Sequence, residues 1–91
     1  MKLVACKECQ DVFKLDYEKR RCKCGKTWGK YKEDGLNAVY GGWPAVPLGF
    51  ANESLREAVL AQPTEGLGRR FEAFVIPKFC STMVYVSEEE E

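Results

Sequence analysis

Four cysteines near the start of the chain are the residues best suited to chemistry. Cys6 and Cys9 are separated by two residues, Cys22 and Cys24 by one, and twelve residues lie between the two pairs. Thiolate sulfur is a soft ligand that suits zinc, and four such ligands fill a tetrahedral coordination shell. Gly25, which follows the second pair, allows the chain to pass the metal without a Cβ clash. The pattern predicts one structural Zn²⁺ held by these four cysteines.

The spacing leaves two other uses of these cysteines open. Two disulfides would consume them, and a redox-active iron site of the rubredoxin kind would also take four thiolates, although its knuckles usually have two intervening residues on both sides. The residues after Met1 contain no apolar stretch long enough for a signal peptide. We therefore expect a cytoplasmic, reducing location, where paired cysteines hold metal more often than each other. Cys80 lies outside the pairs, and we expect it to be a buried apolar residue rather than a reactive thiol.

The two cysteine pairs resemble the zinc-ribbon family, in which two cysteine knuckles at neighbouring turns of short antiparallel strands clasp one metal ion. The resemblance covers residues 1–35, and by it Cys6, Cys9, Cys22 and Cys24 are the zinc ligands. The chain departs from the commonest pattern of that family, because one residue instead of two separates the cysteines of the second knuckle. Residues 36–91 resemble no family that we recognise.

Apolar periodicity and turn residues predict short strands around the cysteines and one helix after them. The expected strands are Asp11–Tyr17, a returning strand through Thr27, Trp28 and Tyr31 with Gly29 as a bulge, Leu36–Tyr40, a buried strand Phe71–Ile76, and Thr82–Val86. A tight turn is expected at Glu33–Gly35, and the glycines and prolines of Gly41–Gly49 predict an apolar loop. Ser54 and Glu57 have the capping-box spacing and predict a helix over Glu53–Gln62.

Together these elements predict a single α+β domain over residues 1–91. A four-cysteine zinc ribbon, residues 1–35, is continued by a small antiparallel β-sheet with one short α-helix in residues 36–87. The four glutamates at residues 88–91 are expected to form a mobile acidic tail. The longest uncharged run, residues 36–52, is interrupted by three glycines and two prolines, so we expect no membrane-spanning helix and no membrane partner.

Composition and charge favour binding over catalysis. The sequence contains no histidine, which removes the commonest general base, and four cysteine ligands leave zinc no open position for water. Fourteen basic and fourteen acidic residues balance overall, but residues 1–32 carry ten basic against four acidic side chains, and the rest of the chain has the reverse imbalance. We predict that the protein is not an enzyme and that it engages a partner through one of two surfaces.

The leading candidate surface is apolar and lies in the uncharged stretch after the ribbon. Its residues are Tyr40, Trp43, Val46, Leu48 and Phe50. Aromatic anchors on a stiff loop are typical of the centre of protein interfaces, so this surface predicts a protein partner and a role as a small regulator, adaptor or inhibitor. Two alternatives remain for the same loop: it covers the sheet and completes the core, or it lines a small-ligand pocket with the backbone amides of Gly41 and Gly42 as donors.

The other candidate surface is basic and aromatic, and it predicts nucleic-acid binding. Its residues are Lys14, Lys19, Arg20, Arg21, Lys23, Lys26, Trp28, Lys30 and Tyr31. Cations that neutralise phosphates and rings that stack on bases are what a single-stranded nucleic acid requires. The simpler alternative is that these cations solvate the outer faces of short strands and that the rings belong to the core of the ribbon.

Overall fold

The computed structural model describes residues 1–86, which form eight strands and one helix. The strands are β1 Lys2–Cys6, β2 Val12–Lys14, β3 Arg20–Arg21, β4 Trp28–Tyr31, β5 Ala38–Gly41, β6 Ala45–Phe50, β7 Ala73–Val75 and β8 Met83–Tyr85. The helix, α1, spans Asn52–Leu60 between β6 and β7. The predicted acidic tail at residues 88–91 lies outside the described residues. Within residues 1–86, no helix is long and apolar enough to cross a bilayer.

The strands form two four-stranded sheets, so the protein is only roughly α+β and is mostly β. The first sheet has the order β2-β1-β6-β7 with antiparallel neighbours throughout. The second sheet has the order β3-β4-β5-β8, in which β8 runs parallel to β5. The prediction of one small antiparallel sheet is therefore wrong in both the number of sheets and the direction of β8, because periodicity does not report which strands pair.

The core lies between the facing sides of the two sheets. Val4 and Phe13 from the first sheet belong to one apolar cluster with Tyr40 and Met83 from the second. Leu15, which follows β2, completes the cluster and is almost fully buried. Each sheet alone would expose these side chains to water, so the two sheets stabilise one another by burying them.

Gly29 marks the closest approach of the two sheets and is not the predicted bulge. It pairs regularly with Arg20 on one side and Tyr40 on the other. A Cβ at this position would lie 2.6 Å from Leu15 Cδ2 and 3.2 Å from Val4 Cγ2. Glycine is therefore required here for interlayer packing rather than for an irregular backbone.

Strand β6 corrects the predicted loop at Gly41–Gly49. It pairs with β1 on one side and β7 on the other, at the centre of the first sheet. The Pro47 carbonyl accepts a hydrogen bond from the Ile76 amide at 2.9 Å, so the Pro47 nitrogen also faces β7. Pro47 lies one residue beyond the last register pair between β6 and β7, which is Leu48 opposite Val75. The missing donor therefore removes no hydrogen bond to β1.

Helix α1 begins one residue earlier and ends two residues earlier than predicted, and it lacks the predicted capping box. Its N-cap is Ala51, which makes no side-chain capping hydrogen bond. The Ser54 hydroxyl instead accepts a hydrogen bond from the Glu72 amide at 2.7 Å and ties the helix to the chain entering β7. No residue of α1 is buried, and β7 is exposed along its length, so the predicted burial of Phe71–Ile76 is wrong for Ala73–Val75.

The remaining elements follow the sequence more closely. β2, β4 and β8 lie within the predicted strands, and β5 is shifted by a residue or two. The predicted turn at Glu33–Gly35 is confirmed: Gly35 has a φ of +67°, and the Asp34 carboxylate accepts hydrogen bonds from the amides of Leu36 and Asn37, both at 2.9 Å. This hairpin joins β4 to β5 and so aligns the second sheet.

Candidate metal centre

The first cysteine pair lies on the hairpin turn that joins β1 to β2. Cys6 is the last residue of β1. Its amide donates to the Asp11 carbonyl at 2.9 Å, and its carbonyl accepts from the Gln10 amide at 2.9 Å. These hydrogen bonds close the turn and bring Cys9 back beside Cys6, whose sulfur accepts from the Cys9 amide at 3.5 Å.

The second pair lies on the hairpin turn that joins β3 to β4. Cys22 donates its amide to the Thr27 carbonyl at 3.1 Å, and its carbonyl accepts from the Gly25 amide at 3.1 Å. In both turns the residue after the second cysteine has a positive φ, +61° for Gln10 and +78° for Gly25. The two knuckles therefore share an outer hydrogen bond that spans five residues and a positive φ after the second cysteine, whereas their inner hydrogen bonds span four residues and three.

The four sulfurs converge to the dimensions of a tetrahedral site. All four lie within 4.8 Å of one another. Cys24 Sγ is 3.4 Å from Cys22 Sγ and 3.6 Å from Cys6 Sγ. Zn–S bonds of about 2.3 Å place neighbouring sulfurs about 3.8 Å apart, close to these separations. All four thiols are free rather than joined in disulfides, so the four cysteines could hold one metal ion.

Backbone amides point at the sulfurs, as thiolate ligands require. The amides of Asp11 and Cys24 hydrogen-bond to Cys9, and together with the neighbouring thiols they lower its pKa against the opposing effect of desolvation. The Lys26 amide makes the corresponding hydrogen bond to Cys24. Such donors favour the charged form of sulfur and orient it towards a metal.

Thr27 supports the Cys22 thiolate. Desolvation opposes ionisation of Cys22, but interactions with the Thr27 hydroxyl and amide outweigh it and lower the pKa of Cys22 to about 5. The Thr27 hydroxyl is buried and has no partner at ordinary hydrogen-bond distance among residues 1–86. A buried hydroxyl without a hydrogen-bond partner is costly, and a charged sulfur at Cys22 offsets part of that cost through its attraction to the hydroxyl.

The thiolates need a cation to coexist. The Lys26 amide favours the Cys24 thiolate, but desolvation and the three neighbouring sulfurs outweigh it and raise the pKa of Cys24 to about 12. Like charges this close cannot all ionise near neutral pH without a counterion. A divalent ion removes the conflict, so the donor set fits a thiolate-bound metal. Four protein ligands also leave no coordination position for water or substrate.

Contacts outside the sulfurs join the two knuckles. The Asp11 carboxylate accepts a hydrogen bond from the Lys23 amide at 3.0 Å. Lys26 Nζ forms an ion pair with a Glu8 carboxylate oxygen at 3.2 Å. The sequence does not predict a role at the metal centre for Gln10, Asp11 or Thr27, because a glutamine, an aspartate and a threonine near cysteines carry no spacing signal of their own.

The predicted protein-binding residues separate into two groups. Trp43 is 66% exposed in the turn between β5 and β6. Val46, Leu48 and Phe50 alternate along β6, are half-buried, and lie on the side of the first sheet that faces away from the core. Tyr40, by contrast, is buried in the core, so it offers a partner no exposed ring. A cleft of about 610 Å³ runs between Trp43 and the ends of β6 and β7.

The predicted nucleic-acid-binding residues also separate. The exposed cations are Lys14, Arg20, Arg21, Lys23 and Lys26, and Lys19 and Lys30 are half-buried. Trp28 is fully buried, with Lys19 Nζ 4.5 Å from its ring centroid. Tyr31 is half-buried, and its hydroxyl accepts from the Lys2 amide at 3.0 Å. The cations are accessible, whereas Trp28 has no free face for a base.

Cys80 lies apart from the cysteine cluster. It is half-buried against the core, so the prediction of a buried residue is met only in part. Its sulfur is 3.4 Å from the Thr82 hydroxyl, and hydrogen bonds from that side chain and from the Thr82 amide lower the pKa of Cys80.

Comparison of the chain with protein-family models, with curated proteins and with solved structures gave no match. Function must therefore be argued from the site itself.

Proposed function

We propose that this protein is a non-catalytic zinc-binding module that acts in the cytoplasm by binding another protein, as a small regulator, adaptor or inhibitor. The observation that carries the proposal is the position of Trp43, an exposed ring on a loop that both cysteine knuckles hold. The metal in this account is structural: it closes the two knuckles on one another and thereby fixes the loop.

Contacts from each knuckle reach that loop. From the first knuckle, the Lys7 amide donates to the Pro44 carbonyl at 2.9 Å. From the second, Lys26 Nζ lies 5.8 Å from the Trp43 ring centroid. Gly42 packs directly on the backbone of Lys26 and Thr27. An aromatic anchor held rigid before binding loses little conformational entropy on association, which favours its use as an interface centre.

Apolar residues next to Trp43 extend the proposed interface. Val46 and Leu48 lie opposite Ala5 and Leu3 of β1, and Leu48 lies opposite Val75 of β7. These pairs form an apolar stripe across the outer side of the first sheet, and Phe50 continues it. Within this stripe Leu3 is buried, and Val46, Leu48 and Phe50 are half-buried, so the stripe adds partly exposed apolar area beside Trp43.

The test is affinity purification of the zinc-loaded chain from its own cells, comparing the wild type with Trp43→Ala and Leu67→Ala. Leu67 is 93% exposed in the segment between α1 and β7 and serves as the matched control for loss of an exposed apolar side chain. A protein partner should be recovered with the wild type and with Leu67→Ala, and lost with Trp43→Ala. Equal recovery with all three chains, or no protein partner at all, contradicts the proposal.

Nucleic-acid binding is the second candidate function, supported by the exposed cations of the ribbon. The burial of Trp28 counts against a stacking platform, so this candidate depends on phosphate contacts alone. Affinity that depends on phosphates falls steeply with added salt, whereas an apolar anchor is much less sensitive. Binding to single-stranded oligonucleotides measured between about 50 and 200 mM salt discriminates the two functions.

A further inference from the structure

Strand β7 leaves one edge of the first sheet unpaired among residues 1–86. The Ile76 amide donates to Pro47, and the Glu72 carbonyl accepts from Ala51, both at 2.9 Å, so every second residue from Glu72 to Ile76 bonds towards β6. The backbone groups of Ala73 and Val75 therefore point away from β6. They form a short row of donors and acceptors to which a further strand can add.

This edge is apolar as well as unpaired. Phe74 is 54% exposed and Val75 is 66% exposed. No charged residue lies between Glu72 and Lys78, and both of these flanking residues are exposed. Natural edge strands are usually protected by charges, proline or a bulge within the strand, and β7 has none of these between its first and last residue. An edge of this kind is suited to pairing.

We propose that β7 pairs with β7 of a second copy of this chain, antiparallel and with Val75 opposite Val75 across a twofold axis. In this register Phe74 lies opposite Ile76, and Glu72 lies opposite Lys78 at both ends of the pairing. The symmetry produces each contact twice, as in other isologous interfaces. Pro77 lies opposite Ala73 in this register and has no amide hydrogen, so that pair is joined by one backbone hydrogen bond instead of two.

Charge selects this register over its neighbour. A register centred on Phe74 would also let the outward backbone groups of Ala73 and Val75 meet. It would, however, place Arg70 opposite Lys78 and Glu72 opposite Ile76. Like charges directly opposite one another on an antiparallel pair are destabilising, and opposite charges are stabilising. Of these two registers, only the one centred on Val75 places opposite charges across from each other.

The dimer would have one continuous eight-stranded sheet in which β2 of each copy is outermost. The exposed Phe74 and Val75 side chains would lie against the second copy. The apolar stripe through Val46 and Leu48 would continue across the twofold axis from one copy to the other. This inference concerns the edge of the sheet and does not depend on the Trp43 surface or on the identity of any other partner.

The first experiment measures the mass of the zinc-loaded full chain by analytical ultracentrifugation over a range of concentrations. Val75→Pro is the edge variant, because the Val75 amide faces away from β6 and its removal costs no hydrogen bond within the sheet. Val75→Thr, which keeps the amide and the branched shape, is its control. We expect a dimer for the wild type and for Val75→Thr, and a monomer for Val75→Pro.

The second experiment tests the register through charge. Glu72→Lys and Lys78→Glu should each weaken dimerisation about two- to thirtyfold, since each removes two exposed ion pairs by symmetry. The double variant Glu72→Lys/Lys78→Glu should restore dimerisation to within about twofold of the wild type, since the same pairs re-form with their signs exchanged. Both side chains are exposed, so the charge variants should fold and still test dimerisation if Val75→Pro fails to fold.

Four results would overturn the proposal. One is a wild-type chain that remains monomeric at about 1 mM. Another is a dimer whose affinity does not respond to Val75→Pro or to either charge reversal, which would place the interface elsewhere. The third is a double variant that dimerises no better than the single ones. The fourth is a different protein paired along β7 in place of the second copy.

Discussion

Replacement of Gly42 by alanine should destabilise the protein more than the same change at Gly66 or Gly68, whose surroundings are open. Gly42 lies in the turn between β5 and β6 with a φ of +103°, a conformation that side chains rarely adopt. A Cβ there would overlap the Lys26 carbonyl oxygen and lie 2.9 Å from Thr27 Cα. Both atoms belong to backbone, so neither can move aside by rotating a side chain.

The magnitude follows from three contributions. Backbone strain at a positive φ costs on the order of 1–3 kcal/mol. Overpacking against backbone costs about 1–3 kcal/mol more. Loss of glycine flexibility in the unfolded chain offsets about 0.4–1 kcal/mol of this. The net expectation is a loss of about 1–6 kcal/mol, centred on about 3 kcal/mol, which is a large share of the stability of a small domain.

Urea unfolding of the zinc-loaded protein measures this loss, with two glycines as matched controls. Gly66 has a φ of +87° but nothing within 4 Å of its Cβ position, so Gly66→Ala reports strain alone. Gly68 has open space and no positive φ, so Gly68→Ala should be nearly neutral. If Gly42→Ala lowered the free energy of unfolding no more than Gly66→Ala, to within about 0.5 kcal/mol, the close contact between this loop and the second knuckle would be refuted.

Substitutions at three further positions test separate features of the structure. Gln10→Gly relieves the strain of the positive φ in the first knuckle and should raise the free energy of unfolding in urea slightly. Gln10→Val should lower that free energy by about 1–3 kcal/mol. Thr27→Val removes the hydroxyl beside Cys22 and should weaken zinc affinity about 10- to 100-fold in a chelator competition, while Thr27→Ser should retain it. Ser54→Ala removes the acceptor for the Glu72 amide and should speed hydrogen exchange at that amide, with a stability loss of about 0.5–1.5 kcal/mol.

The candidate metal centre was largely predictable because its information is local. Cysteine types and their spacing identified four sulfurs that the fold brings within 4.8 Å of one another. The turn at Asp34 and Gly35 was equally readable, because one side chain and one backbone conformation produce it. Gln10 was not readable, since its positive φ is imposed by the hairpin between β1 and β2 rather than favoured by glutamine.

The rest of the fold depended on pairing between distant segments, which one sequence does not report. Pro47 is unexpected in a central strand, and the sequence does not show that its nitrogen faces β7 rather than β1. Gly29 suggested a bulge, whereas its role is to admit Leu15 and Val4 from the other sheet. Trp28 was predicted to be a stacking ring, but the structure buries it fully, and burial depends on tertiary contacts that one sequence does not report. Ser54 matched a capping box yet serves a contact with β7 instead.

The structural role of zinc is tested by one chelator titration of the purified protein, in which zinc content and near-UV circular dichroism are followed on the same sample. We expect one zinc per chain, and loss of the dichroism in proportion to the zinc removed, because metal-binding free energy in such a site is folding free energy. A chain that contains no metal, or one whose dichroism and melting temperature stay unchanged after the zinc is removed, would contradict this expectation.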